Sequence, residues 1–426
     1  MYSPQADVAV TAEFASAFEL LENSRANVFL TGKAGTGKST FLQYFRRNTR
    51  KRLAVVAPTG VAALNVNGQT IHSLFRFVPR FMHKGEVKPD KRRVFKEMEL
   101  LIIDEISMVR ADLFDAIDQF LRLSRRSNEP FGGVQVCVIG DLFQLPPIVS
   151  REERAFFAQY YSSPYFFATE AFRAGRFQTV EFTTVHRQND EKFIHILNAI
   201  RSGHCSAEDL RALNIRLDGE HEPHSATIVL TTTNAIADNL NDASLIKLAG
   251  KAMTYASDTR GNFGMNGPRL PAPELLTLKV GAQVMFVKND PEGRWVNGTV
   301  GTVIAMDEAI VTVRTEEGTY PVEPKKWQTL GYEFDEDKGQ IVEKTLGSFT
   351  QFPLMLAWAI TIHKSQGKTL ERAVIDLGHG AFAPGQLYVA LSRCKTLEGI
   401  TLKRPITAND TRCDRAVVEF MQRSTA

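Results

Sequence analysis

The sequence predicts an α/β protein built as two units with parallel sheets, the second interrupted by an antiparallel β-module. Three observations predict it. Short apolar runs alternate with helical patterns through the first half, and such alternation builds a parallel sheet covered on both faces. A Gly-rich loop joins the first of these strands to the first helix. Beyond about residue 280 the rhythm becomes period two, punctuated by turn residues, as in antiparallel strands. With 426 residues the chain exceeds one ordinary domain.

In chain order, Asn27 to Leu30, Leu53 to Ala57, Leu100 to Ile103 and Val134 to Ile139 read as buried strands, each too short for a helix and bounded by Gly, Pro or Asp. Ser39 to Phe45 and Leu113 to Leu123 read as helices between them. Phe193 to Ile200 reads as a helix and Ala226 to Leu230 as a strand. Residues 251–275, rich in Gly and Pro, read as loop. From Val280 to about Thr345 the chain alternates apolar and polar residues, and buried strands return at Met355 to Ile362 and Arg372 to Leu377. A helix follows at about Pro384 to Arg393.

Composition narrows the function. The chain is 43% hydrophobic and 23% charged, which excludes wholesale disorder and fibrous classes. A net charge of +3 permits a nucleic-acid partner without demanding one. No apolar run reaches the roughly 18 residues of a membrane helix. Cys137, Cys205, Cys394 and Cys413 lack metal-ligand spacing, so the reading is a reducing, cytoplasmic compartment and no zinc. Trp295, Trp327 and Trp358 read as packing residues.

Residues 32–39, GKAGTGKS, match the phosphate-binding pattern G-x-x-x-x-G-K-[ST] between a strand and a helix. Gly32, Gly35 and Gly37 let the backbone curl so that the N–H groups of the loop, from Ala34 through Thr36 to Thr40, face phosphate oxygens. The helix N-terminus adds partial positive charge. Lys38 supplies a mobile cation for the β- and γ-phosphates, and the Ser39 hydroxyl suits Mg²⁺. In ELLIIDEISM an apolar strand ends in Asp104 and Glu105. Asp104 suits an outer ligand of Mg²⁺, and Glu105 suits orienting the attacking water. VQVCVIGD then leads to Asp141 and Gln144 in the same crevice, since ligands of open α/β sheets bind at the carboxyl ends of strands. An amide that both donates and accepts can report a γ-phosphate.

These motifs, with APTGVAALNVNGQTIHSLF at 57–75, VHRQ at 185–188, LKVGAQVMFVKND at 278–290, WVNGTVGTV at 295–303, AITIHKSQGKTL at 359–370 and QLYVALSRCKTLEGI at 386–400, resemble the petite-integration-frequency (PIF) family of superfamily 1B DNA helicases, and less closely the RecD helicases. The resemblance covers nearly the whole chain in the family's order. It implies two tandem RecA-like P-loop domains, at 1–185 and 186–426. A small wedge insert would lie at about 74–96 and an SH3-like β-barrel insert at about 280–350. The implied activity is ATP- and Mg²⁺-dependent 5′-to-3′ movement on single-stranded DNA, unwinding 5′-tailed duplex. The implied protein is a monomer, or a dimer on DNA, with no membrane partner and a place at the bacterial nucleoid. The family's settings are DNA repair, recombination, replication and telomere maintenance. Arg187 and Arg393 would be arginine fingers from the second domain, stabilising charge on the transferring phosphoryl group. Gly367 would approach the γ-phosphate. One departure stands out: where many relatives carry an adenine-recognising Gln, this chain has Glu13-Phe14, and Gln5 lies far upstream.

For the nucleic acid, Arg76 to Lys96 holds eight Lys or Arg against two acids. Phe75, Phe77 and Phe81 alternate with Arg76 and Arg80, the mixture of rings and cations that binds single strands, although Phe75 fits the core equally well. Pro58, Thr59, Gly60, His72, Ser73, Thr232, Asn234, His363, Lys364, Ser365 and Gln366 lie at strand ends or loops, where small polar groups and backbone N–H groups grip phosphates without reading bases. The resemblance places them on the DNA track. A nucleotide-gated clamp that holds DNA without travelling, a RecD-like subunit and an RNA helicase on the same scaffold are the alternatives.

Overall fold

A computed structural model describes residues 11–83, 85–188, 190–217, 227–263 and 270–424. The first sheet has six strands: β1 (Val28–Gly32), β2 (Leu53–Ala57), β3 (Gln69–Thr70), β4 (Leu100–Ile103), β5 (Gln135–Ile139) and β6 (Gln178–Phe182). Their order is β3-β2-β4-β5-β1-β6, and every pair is parallel. Every residue of β1, β4 and β5 is buried, because helices cover both faces. Phe41, Leu42 and Phe45 of the helix Lys38–Asn48 close one face. Phe114, Ile117, Phe120 and Leu121 of the helix Ala111–Arg125 close the other. Each such side chain contributes about 1.5–3 kcal/mol on burial. β3 and β6, with the sequences QT and QTVEF, lack the apolar run that marks the other four.

The second sheet is also parallel. Its order is Ala359–Thr361, Ile228–Thr231, Ala373–Asp376, Ile400–Leu402. The C-terminal helix Arg415–Ser424 returns to the first unit, where Phe420 stacks on Phe167 with ring centroids 4.3 Å apart. No helix among the described residues is long and apolar enough to cross a membrane.

Between these parts lies the antiparallel module. Gln283–Phe286, Val300–Met306, Val311–Arg314, Thr319–Val322 and Leu354–Leu356 form a five-stranded sheet. The segment expected as loop, 251–275, instead contains the strands Met253–Ala256 and Asp258–Gly261 and the first residue of Leu275–Leu278; 264–269 lie outside the described residues. Its partners are remote, as in Thr259 opposite Phe349, so local composition does not reveal the pairing. Trp295 and Trp327 are buried and Trp358 packs at the edge of the module's core.

A long hairpin, Lys325–Asp335 with Gln340–Gln351, leaves this module and reaches the first unit. β3 covers only Val56 and Ala57 of β2, and the Tyr332 hydroxyl meets the backbone at Val55. It accepts from the Val55 N–H at 3.0 Å and donates to the Val55 carbonyl at 3.2 Å. Arg46 pairs with Glu343 at 2.5 Å and Arg93 with Glu336 at 2.6 Å, and the Arg93 guanidinium lies 4.6 Å from the Phe334 ring centroid.

Candidate functional site

The phosphate loop leaves the carboxyl end of β1 and enters the helix Lys38–Asn48 at Gly37, which adopts φ 85°. Gly35 also has positive φ, at 84°, and a Cβ there would fall 2.6 Å from the Cβ of Arg187. Glycine is therefore required twice over: for the left-handed backbone and for the close approach of residues 186–187. The His186 N–H donates to the Gly35 carbonyl at 2.9 Å. Lys38 Nζ donates to the carbonyls of Gly32 and Lys33 at 2.7 and 2.9 Å. Burial lowers its pKa, opposed by Asp141, Glu105 and Asp104. Ser39 and Thr40 follow on the exposed side of the first helical turn. Phe14 lies buried against Gly37 and stacks on Phe182, while the Glu13 carboxylate accepts from the Thr183 N–H and hydroxyl. Gln5 lies outside the described residues.

Asp104 follows β4 directly and is 8% exposed. Burial and the adjoining Glu105 carboxylate push its pKa up to about 7, the direction a desolvated carboxylate takes before a cation joins it. Glu105 sits in left-handed backbone (φ 51°, ψ 45°), a conformation that costs a non-glycine residue roughly 1–3 kcal/mol and concentrates at functional sites. Its carboxylate accepts from the Gln366 amide at 2.9 Å, and the same amide reaches Gln144 Oε1 at 3.3 Å. The Gln366 side chain thus joins Glu105 and Gln144 across the two units.

Arg187 and Arg393 come from different segments and meet in the same cleft. Arg393 is 2% exposed. It donates from Nε to the Val389 carbonyl at 2.9 Å, from Nη1 to the Ser365 and Lys368 carbonyls at 3.4 Å, and from Nη2 to the Ser392 hydroxyl at 2.8 Å. Arg187 donates to the Ser392 carbonyl at 3.1 Å. Among the described residues neither guanidinium forms an ion pair with a carboxylate. Burial lowers both pKa values, that of Arg393 to about 9 with Arg187 as the next cause. Two desolvated cations held by neutral acceptors form a site that an anion would neutralise. Gly367 lies in the Gln366–Lys368 turn beside Arg393, with φ 78°.

Sequence reasoning missed Tyr388 and Arg201. The Ala34 N–H of the phosphate loop donates to the Tyr388 hydroxyl at 2.9 Å. Arg201 pairs with Asp141 at 3.1 Å and lies 4.3 Å from the Phe143 ring centroid. The helix Gln386–Leu391 begins at Gly385, whose φ is 75° and whose added Cβ would fall 2.4 and 2.5 Å from the carbonyl oxygens of Phe143 and Gln144. Gly385→Ala is therefore expected to destabilise the chain by about 1–3 kcal/mol through overpacking, seen in a urea unfolding titration; an unchanged midpoint would refute the tight seating.

The remaining candidates gather at the carboxyl ends of paired strands. Pro58, Thr59 and Gly60 follow β2; His72 and Ser73 follow its neighbour β3. Thr232 and Asn234 follow Ile228–Thr231, while His363, Lys364 and Ser365 follow the adjacent Ala359–Thr361. Each loop opens a helix capped by a threonine side chain: Thr59, Thr70, Thr233 and Thr361. Helix N-termini attract phosphate. The Ser365 hydroxyl, however, is buried and donates to the Ile362 carbonyl. Phe75 and Phe77 require correction as stacking platforms. They are 2% and 8% exposed, stack on one another at 5.5 Å, and pack edge-on to Phe120. Arg76 between them points outward, 71% exposed, with Asp90 Oδ2 at 3.9 Å. Phe81 is likewise buried, against Phe156 and Phe157. The basic stretch is thus cationic at its surface with its rings inside; Lys84 lies outside the described residues.

Comparison with known proteins agrees with this geometry. The profile described as PIF1-like helicase matches residues 10–211, and that described as DNA helicase Pif1, 2B domain matches 266–306. The ATP-dependent DNA helicase Pif1 of Bdellovibrio bacteriovorus is 33% identical over 94% of this chain and 89% of its own length. The ATP-dependent DNA helicase PIF1 of Emericella nidulans is 32% identical over 89% of this chain, which spans 58% of that relative's length. The crystal structure of Bacteroides sp Pif1 with ADP-AlF4 superposes with a TM-score of 0.91 at 39% identity, covering 98% of each chain. Bacteroides Pif1 bound to ssDNA superposes at 0.71, also at 39% identity, over 98% of this chain and 97% of its own. The two parallel sheets are therefore RecA-like, and the chain belongs to the PIF1-like helicase family.

Proposed function

We propose that this chain is an ATP-dependent DNA helicase that moves 5′ to 3′ along single-stranded DNA and unwinds duplex from a 5′ tail. The observation that carries the reading is a pair of guanidinium groups, the buried Arg393 and the half-buried Arg187, held without a carboxylate ion-pair partner among the described residues, beside Lys38, Asp104 and Glu105 of the first unit. ATP would lie between the two units, divided near residue 185. Ser39 and Asp104 would hold Mg²⁺, Glu105 would orient the water, and Gln144 and Gln366 would sense the γ-phosphate. Charge developing on the phosphoryl oxygens would draw the arginines inward, so that hydrolysis follows closure of the cleft. The paired helix N-termini of both units would grip successive phosphates of one DNA strand, and their separation would change with each closure. The protein would act as a monomer, or as a dimer on DNA, at the bacterial nucleoid. Kinship with helicases named for DNA as substrate supports this reading, as does a cleft that joins both units.

Polarity is tested by unwinding. A duplex with a 5′ single-stranded tail should be separated at least tenfold faster than one with a 3′ tail, in a fluorescence-quench assay with ATP and Mg²⁺. Preference for the 3′ tail would refute the stated direction.

A further inference from the structure

We propose that Tyr388 is a positioning residue for ATP hydrolysis, its hydroxyl tying the curvature of the phosphate loop to the setting of Arg393. This rests on the reading of the cleft as the ATP site. The hydroxyl accepts from the Ala34 N–H at 2.9 Å across the two units, 354 residues apart in sequence, and burial together with the nearby Asp141 carboxylate holds the phenol protonated. A buried phenol whose oxygen accepts a backbone N–H is held at that contact. Asp141 is fixed in turn by Arg201 at 3.1 Å, and Asp141 and Tyr388 are 1% and 3% exposed. Water therefore does not compete for these bonds.

One residue further along, the Val389 carbonyl accepts from Arg393 Nε at 2.9 Å. The path from loop to finger thus runs from the Ala34 N–H to the Tyr388 ring, and through one peptide unit to the Val389 carbonyl and the guanidinium. The helix between is short and braced: Gly385 abuts the Phe143 and Gln144 carbonyls, and Tyr388 and Val389 are both buried on it. Phosphate drawing the loop inward would pull on Tyr388 and reset Arg393. A purely structural hydroxyl would do no more than hold the units together.

The test uses the full chain with ATP, Mg²⁺ and saturating oligo-dT. Tyr388→Phe keeps the ring and removes the relay. We expect kcat to fall about tenfold, equivalent to about 1.4 kcal/mol, with KM for ATP within threefold, because Lys38 and the other loop N–H groups are untouched. Asp141→Asn should show the same split, and the double variant should be no slower than the slower single by more than twofold, since both cut one path. Were Tyr388→Phe to melt below the assay temperature, Asp141→Asn carries the test alone. A folded Tyr388→Phe with kcat within twofold of the parent overturns the proposal, as do effects that multiply in the double variant. A parent chain that turns over no ATP sinks the cleft reading and this one with it. An active parent with an indifferent variant sinks only this one.

Discussion

Arg393→Ala should lower single-strand-stimulated ATP turnover by about 10³-fold or more, the range measured for arginine fingers. A coupled steady-state assay at saturating DNA checks it. The reason lies in how the side chain is held. Its hydrogen bonds go to three carbonyls and one hydroxyl, while burial and the nearby Arg187 depress its pKa to about 9. The folded protein therefore keeps this charge where its charged form is disfavoured, which is sensible only if negative charge arrives during the reaction. Arg393→Lys should recover little, because an ammonium cannot reproduce the fixed planar fork bonded at Nε, Nη1 and Nη2. If Arg393→Ala turned over ATP within tenfold of the parent, phosphoryl transfer would not occur at this seam, and coupling of hydrolysis to cleft movement would fail with it.

The sequence makes most of the first sheet legible, because β1, β2, β4 and β5 are apolar runs with glycine, proline or aspartate at their ends, and burial on both faces demands such runs. β3 and β6 were not legible. Gln69–Thr70 and Gln178–Phe182 are edge strands, stabilised by their neighbours rather than by their own composition. The strands within 251–275 were hidden for a related reason, since their pairing partners lie as far away as residue 350.

At the site, Lys38, Asp104 and Glu105 are legible because each belongs to a short local pattern whose chemistry fixes its residue types. Arg187 and Arg393 were reached through family resemblance, and nothing local distinguishes them from surface arginines. Tyr388 and Arg201 were missed because their meaning arises from contacts with Ala34 and Asp141 that only the fold creates. Phe75 and Phe77 mislead in the opposite direction. Alternation with arginine suggests exposed rings, but Arg76 adopts left-handed backbone at φ 57°. That turn rotates both rings to one side, where they stack at an interplanar angle of 17° inside the core.

Lys38→Ala should abolish measurable hydrolysis while leaving single-strand affinity within about threefold. Loss of one preorganised donor to a transition-state oxyanion costs roughly 10²–10³-fold. Lys38 carries a full charge as well, so the loss should lie at or beyond the upper end of that range. The ammonium rests on the Gly32 and Lys33 carbonyls, 2.7 and 2.9 Å away, at the mouth of the loop and close to Asp104 and Glu105. Those bonds are to neutral acceptors that a phosphate would outcompete. The candidate DNA contacts are elsewhere, at the helix ends capped by Thr59, Thr70, Thr233 and Thr361, and none of them hydrogen-bonds to Lys38 among the described residues. Fluorescence anisotropy of a labelled oligonucleotide without nucleotide isolates that second site, and circular dichroism confirms that the variant is folded. If a folded Lys38→Ala lost binding together with hydrolysis, phosphate and DNA would share one site, and a cleft that burns ATP in one place while gripping DNA in another would be the wrong description.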